Sequence, residues 1–207
     1  MNPRRFCVKS GQLFLALLLA VSSLVSTVAP ARAAPRADTA LTTITAGLNP
    51  YAVAVNPVTN KVYVVNQGSN TVTVIDGATN ATDTVTVGTT PMAVAVNPVT
   101  NKVYVANQDS NTVTVIDGAT NGATNLVGFR GPTALAVNPV TNKVYVANTA
   151  HRSVTVIDGT TNVTATVQTG TTPTAVAVNV VTNKIYVACY NGPEYFTVID
   201  GATNSPT

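Results

Sequence analysis

Residue types on which chemistry usually depends are scarce in this chain. Tryptophan is absent from its 207 residues, and histidine and glutamate occur once each, as His151 and Glu194. A lone histidine has no histidine partner for a metal site and could serve a Ser-His-Asp arrangement only from its own loop. A lone glutamate has no obvious carboxylate partner for glycoside hydrolysis. The patterns G-x-S-x-G, H-E-x-x-H and the phosphate-binding P-loop do not occur. Nor does a dense run of oxygen ligands of the D-x-[DN]-x-[DN]-G kind, which would be needed for the recurring aspartates to hold calcium. Residue types therefore name no catalytic residue, no metal site and no cofactor.

Cysteine is nearly absent too. Cys7 lies in the first 33 residues, which read as a removable signal peptide: Arg4, Arg5 and Lys9 precede an apolar run at 13–21, and Ala31-Arg32-Ala33 offers small residues for cleavage after Ala33. The run is shorter than the roughly 20 apolar residues a membrane-spanning helix needs. Its strong hydrophobicity favours the general secretory route over the twin-arginine route that Arg4-Arg5 also resembles. Cleavage leaves Cys189 alone, so the exported part, 34–207, is held by packing without an internal disulfide. Four of the eleven basic residues (Arg4, Arg5, Lys9 and Arg32) leave with the signal, and seven then face eight acidic ones. The pI near 9.0 belongs to the whole chain. The near-neutral remainder argues against nucleic acid as a partner. The expected location is periplasm, cell surface or medium.

What is abundant is Val, Thr and Ala in a pattern that repeats. NPVTNKVYV begins at Asn56, Asn97 and Asn138, and NVVTNKIYV begins at Asn179, each 41 residues after the last. VIDGATN or a close variant recurs around Asp76, Asp117, Asp158 and Asp200. Self-similarity at this period indicates one supersecondary unit stacked on itself. Within one copy, 52–56, 61–66, 71–76 and 83–88 read as short strands, separated by turn residues. Asn60 suits a positive φ, and the recurring Asn and Asp side chains can bond their own local backbone. Four antiparallel strands per unit of about 40 residues is a propeller blade, so the fold class is an all-β propeller. The expected domains are the signal peptide 1–33 and a propeller 34–207, with blades 50–90, 91–131, 132–172 and 173–204. Residues 39–46 resemble an outer strand, and pairing them with the last blade would close the ring from both ends.

The units YVVN (63–66), YVAN (104–107), YVAN (145–148) and YVAC (186–189), with their NPVTNK and IDGATN flanks, resemble the YVTN-type β-propeller repeat proteins of bacterial exported and archaeal surface-layer proteins. The Thr of that motif is replaced in every copy, and Cys189 replaces the last Asn. The resemblance implies a propeller and export, and names no single activity. Lack of tryptophan separates the chain from WD-type propellers.

Four blades closing alone must turn about 90° each, against about 50° in a ring of seven or eight. Such a wide wedge needs bulky side chains to fill it, yet aromatic residues make up only 5% of the chain. A closed four-bladed monomer, a homodimer of half-rings and a shortened relative of a longer propeller all stay open on the sequence.

Residues that break the repeat are the better candidates for function. The connections between second and third strands and those between blades emerge on one face. They carry Phe129, Arg130, His151, Arg152, Tyr190, Glu194, Tyr195 and Phe196 as the expected binding face. The reading is an exported, non-enzymatic propeller that acts as a binding or surface scaffold for a protein or polysaccharide. The alternatives are an enzyme-like propeller, such as a lactonase or an accessory of a quinone-linked oxidoreductase, and a nucleic-acid-binding propeller.

Overall fold

A computed structural model describes residues 43–192 and 195–206. The chain divides into the units Met1–Thr43 and Ile44–Thr207, and all the strands below lie in the second. The signal peptide at 1–33 and residues 39–42 of the expected outer strand lie outside the described residues.

Four four-stranded antiparallel sheets follow one another along the chain. The first holds β1 (Pro50–Asn56), β2 (Lys61–Asn66), β3 (Thr71–Asp76) and β4 (Thr82–Thr86). The second holds β5 (Pro91–Asn97), β6 (Lys102–Asn107), β7 (Thr112–Asp117) and β8 (Ala123–Val127). The third holds β9 (Pro132–Asn138), β10 (Lys143–Asn148), β11 (Ser153–Asp158) and β12 (Thr164–Gln168). The fourth holds β13 (Pro173–Asn179), β14 (Lys184–Cys189), β15 (Phe196–Asp200) and β16 (Ser205–Pro206). Among the described residues there is no helix. These are the propeller blades the repeat predicts.

Turn chemistry sets the period. Asn56 Oδ1 accepts the N–H groups of Val58 and Thr59, at 3.1 and 3.4 Å, and Asn60 closes the turn at φ 53°. Asp76 Oδ1 accepts the N–H groups of Ala78 and Thr79, at 3.0 and 2.8 Å, before Asn80 at φ 61°. Asn and Asp suit these places because a short polar side chain can mimic the next backbone carbonyl, and Asn tolerates the left-handed region. The same bonds recur in the later blades.

Strand alternation then gives each blade two apolar faces. The forward face of blade one carries Tyr63, Val65, Val72, Val74 and Val85; it packs on the backward face of blade two, with Val94, Val96, Val103, Val105 and Ile116. Blades two and three, and three and four, repeat this packing. Inner strands stack in the order β1, β5, β9, β13. Tyr63, Tyr104 and Tyr145 are fully buried at the three joints.

Two polar bonds repeat across every joint. Asn56 Nδ2 donates to Asn101 Oδ1, Asn97 to Asn142 and Asn138 to Asn183, at 2.8, 2.8 and 2.9 Å. Lys61 Nζ donates to the carbonyl oxygen of Gly118, Lys102 to Gly159 and Lys143 to Gly201, at 2.6, 2.6 and 2.8 Å. The repeating Asn at the strand end thus serves its own turn with Oδ1 and the next blade with Nδ2.

The row of blades ends at β1 and β13. Tyr51, Val53 and Val55 on β1 are 59, 65 and 57% exposed, whereas their equivalents Met92, Val94 and Val96 are partly buried or better. At the far end Tyr186 is only half-buried. Within the last blade the chain supplies a fourth strand of its own. Its fourth strand is β16, where Ser205 and Pro206 pair with Asp200 and Ile199, while residues 43–46 form no strand. The chain leaves the Asp200 turn already antiparallel to β15, so this position is filled locally.

Candidate functional site

The loops between second and third strands sit beside the loops that lead into each blade. Gln67 N–H donates to Asn49 O, Gln108 to Thr90, Thr149 to Gly131 and Tyr190 to Thr172, at 2.9, 2.9, 3.0 and 3.0 Å. This backbone lacing gathers both loop sets on one face. Side chains stitch successive blades there as well: Asn70 Oδ1 accepts from Thr90 N–H at 2.9 Å, and Asn111 Oδ1 from Gly131 N–H at 2.7 Å.

Blade three departs from that scheme. The position of Asn70 and Asn111 belongs to Arg152, which holds φ 39° where they hold 57 and 55°. A non-glycine residue in this region is uncommon, and asparagine is the usual exception. Arginine also offers no carbonyl to the loop ahead, since guanidinium is a donor only. Arg152 is exposed, and its backbone oxygen accepts from Thr169 N–H at 2.9 Å.

Arg130 lies next to it. Its N–H reaches Asn148 Oδ1 at 3.3 Å, and its carbonyl accepts from Ala150 N–H at 3.3 Å. His151 is exposed, with Nδ1 3.5 Å from Ser153 Oγ. Arg130, His151 and Arg152 therefore share one stretch of rim. Among the described residues neither arginine side chain has a hydrogen-bond or ion-pair partner. The rim continues through residues 169–172 to the longer loop of blade four, where Tyr190 and Tyr195 are 63 and 71% exposed. Cys189 N–H donates to Tyr195 O at 3.0 Å and fixes the base of that loop. Glu194 lies outside the described residues.

Two expected members belong elsewhere. Phe129 is 1% exposed and packs with Val113, Val115, Val144, Val146 and Ile157. The residue preceding it is Gly128, with φ 97°, at the place where blade one has the buried Val87. Gly128 leaves that space empty and turns the chain so that the phenyl ring fills it. Phe196 stands on β15, its ring centroid 5.9 Å from that of Tyr186, and faces the open end of the row.

The Asp turns lie on the other face. The backbone N–H of Thr79 holds the Asp76 carboxyl below its usual pKa, and those of Thr120 and Thr161 do the same for Asp117 and Asp158. Between blades two and three, a groove of about 160 Å³ is lined by Lys102, Asp117, Thr124 and Asn162. Among the described residues no group of three His, Cys, Asp or Glu is placed to hold a metal. In the last blade Cys189 takes the place of Asn66, Asn107 and Asn148, whose Nδ2 atoms donate to Thr73, Thr114 and Thr155. Its Sγ lies 4.0 Å from the matching Thr197 hydroxyl, and the side chain packs in the core between blades three and four.

The profile of the YNCE-like β-propeller family matches residues 10–205, and the chain belongs to that family. No curated protein matches it. Among solved structures it is similar to hydrazine synthase of Kuenenia stuttgartiensis, at 21% identity and a TM-score of 0.71, over 80% of this chain and 49% of that one. It is also similar to a functionally unknown protein of Desulfotomaculum acetoxidans DSM 771, at 15% identity and a TM-score of 0.64, over 76% of this chain and 54% of that one. The chain thus spans about half the length of each. At these identities the likeness is one of fold.

Proposed function

We propose that this propeller is an exported, non-enzymatic binding scaffold whose contact surface is the rim formed by Arg130, His151, Arg152, Tyr190 and Tyr195. The observation that carries the reading is Arg152. It occupies a left-handed position that blades one and two give to asparagine, and it forgoes the bond that asparagine makes there to the next loop. Local strain kept without a structural return favours a role outside the fold. On the same rim stand Arg130, whose side chain has no partner among the described residues, and two exposed tyrosines. Tyrosine and arginine are the side chains that dominate binding surfaces, through stacking area and forked hydrogen bonding. Such a set suits a protein loop or a sugar chain bearing carboxylates.

Surface plasmon resonance against envelope polysaccharides and proteins of the host tests this, with the Arg130→Ala, His151→Ala, Arg152→Ala and Tyr195→Ala quadruple variant beside the native protein. The expected result is a ligand whose affinity falls at least a hundredfold in the variant, as for loss of two or more hot-spot residues. Binding that survives all four changes would place the contact surface elsewhere.

A further inference from the structure

The two ends of the row of blades are complementary. Every internal joint is made from the same two donors behind and the same two acceptors ahead. Blade four carries one more pair of donors, Asn179 Nδ2 and Lys184 Nζ, and blade one carries the matching acceptors, Asn60 Oδ1 and the carbonyl oxygen of Gly77. Among the described residues none of these four groups has a partner. Asn56, Asn97 and Asn138 are fully buried, yet Asn179 is exposed.

The apolar surfaces match in the same way. The backward face of blade one offers Tyr51, Val53 and Val55, with a cleft of about 200 Å³ lined by Pro50, Tyr51, Ala52, Val53 and Val64. The forward face of blade four offers Tyr186 and Phe196, where earlier blades have a buried Tyr and Val. Each end therefore presents half of a joint that the molecule already makes three times.

We infer that two copies of this chain close one ring, with blade four of each seated on blade one of the other. A second copy fits because it brings both missing halves at once, and a two-fold axis makes the two new joints identical. Asn179 then donates to Asn60 of the partner subunit, and Lys184 to the partner's Gly77. This pairing is independent of the rim reading, since it uses the blade faces at the ends of the row.

Light scattering coupled to gel filtration on the purified protein, with two substitutions, tests the pairing. The expected mass is that of two chains. Val53→Asp places a carboxylate on a side chain that is exposed in one copy and buried in the pair, and it should return the mass to one chain. Lys184→Ala should weaken the pair about a hundredfold, a factor of about ten for each charged hydrogen bond lost at two equivalent joints. Lys102→Ala, which removes the same bond inside one chain, should lower the melting temperature and leave the mass at two chains. A native mass of one chain, with the face bare or covered by residues 1–42, overturns the inference. So does a larger open-ended series, or a pair that withstands both Val53→Asp and Lys184→Ala.

Discussion

Tyr63, Tyr104 and Tyr145 hold the same place in three successive blades, and burial raises the phenol of each above its usual value. The turn aspartate of the next blade (Asp117, Asp158 and Asp200 in turn) adds to the effect, because a nearby negative charge opposes formation of a phenolate. For Tyr145 the result is a value pushed up to about 12, against 10.0 for a free tyrosine. Its folded pKa exceeds its unfolded one, so the contribution to stability is complete below pH 10. Above that, the unfolded chain releases the proton first, and the contribution is lost as pH rises toward about 12. Melting temperature followed from pH 9 to 12 should therefore fall in the native protein. It should fall less steeply in Tyr145→Phe, which has no proton to lose. Parallel curves would show that Tyr145 titrates normally.

At the scale of one element, the turn after the third strand is built around a close approach. Gly118 N–H donates to Asn101 O at 2.8 Å, while its own carbonyl takes Lys61 Nζ from the blade behind. A Cβ at Gly118 would run into Asn101 Oδ1. That oxygen cannot swing away freely, because it accepts from Asn56 Nδ2. Gly118→Ala should cost about 2 kcal/mol, in the range for forcing a methyl into a packed site. Gly122→Ala, whose Cβ would meet only Thr120 Oγ1 at 3.2 Å, should change stability by less than about 0.5 kcal/mol. Urea unfolding of both variants checks the contrast, and equal losses would remove the pinned asparagine as its cause. This turn also marks where the sequence stops being legible. Its Asp and Asn can be read as local turn formers, because their bonds span two or three residues. The link from Asn56 to Asn101 spans 45 residues, and no local pattern announces it. The burial of Phe129 is hidden from the sequence for a related reason. Its loop position suggested exposure, and only the loss of a valine at the preceding position, in favour of Gly128, hinted that a ring had moved inward. Arg152 was legible as a break in the repeat. That it sits in a strained backbone position was not, because φ depends on the loop around it.

For the whole molecule, the consequence of stacking is that stability runs along the row of blades. The strand pattern and the four-fold count follow from composition and period alone, since each blade is a local antiparallel meander. What one copy of the repeat cannot encode is how the row ends, because every copy is written for a neighbour on both sides. Blades two and three have both, and β6 and β10 are buried almost throughout. Among the described residues of one copy, blade one lacks a neighbour behind it, as Val53 and Val55 record. The outer strands β4, β8 and β12 are mostly exposed, and β16 is two residues long. In such a row each unit gains most of its stability from the joints beside it, so opening is cheapest at the outer strands and dearest in the middle. In the single-chain Val53→Asp form, hydrogen exchange resolved by residue should therefore find the amides of β6 and β10 slowest and those of β16 fastest, with β4, β8 and β12 ahead of the inner strands of their own blades. A flat profile, in which all strands exchange through one global event, would mean that the joints couple the blades into a single cooperative unit.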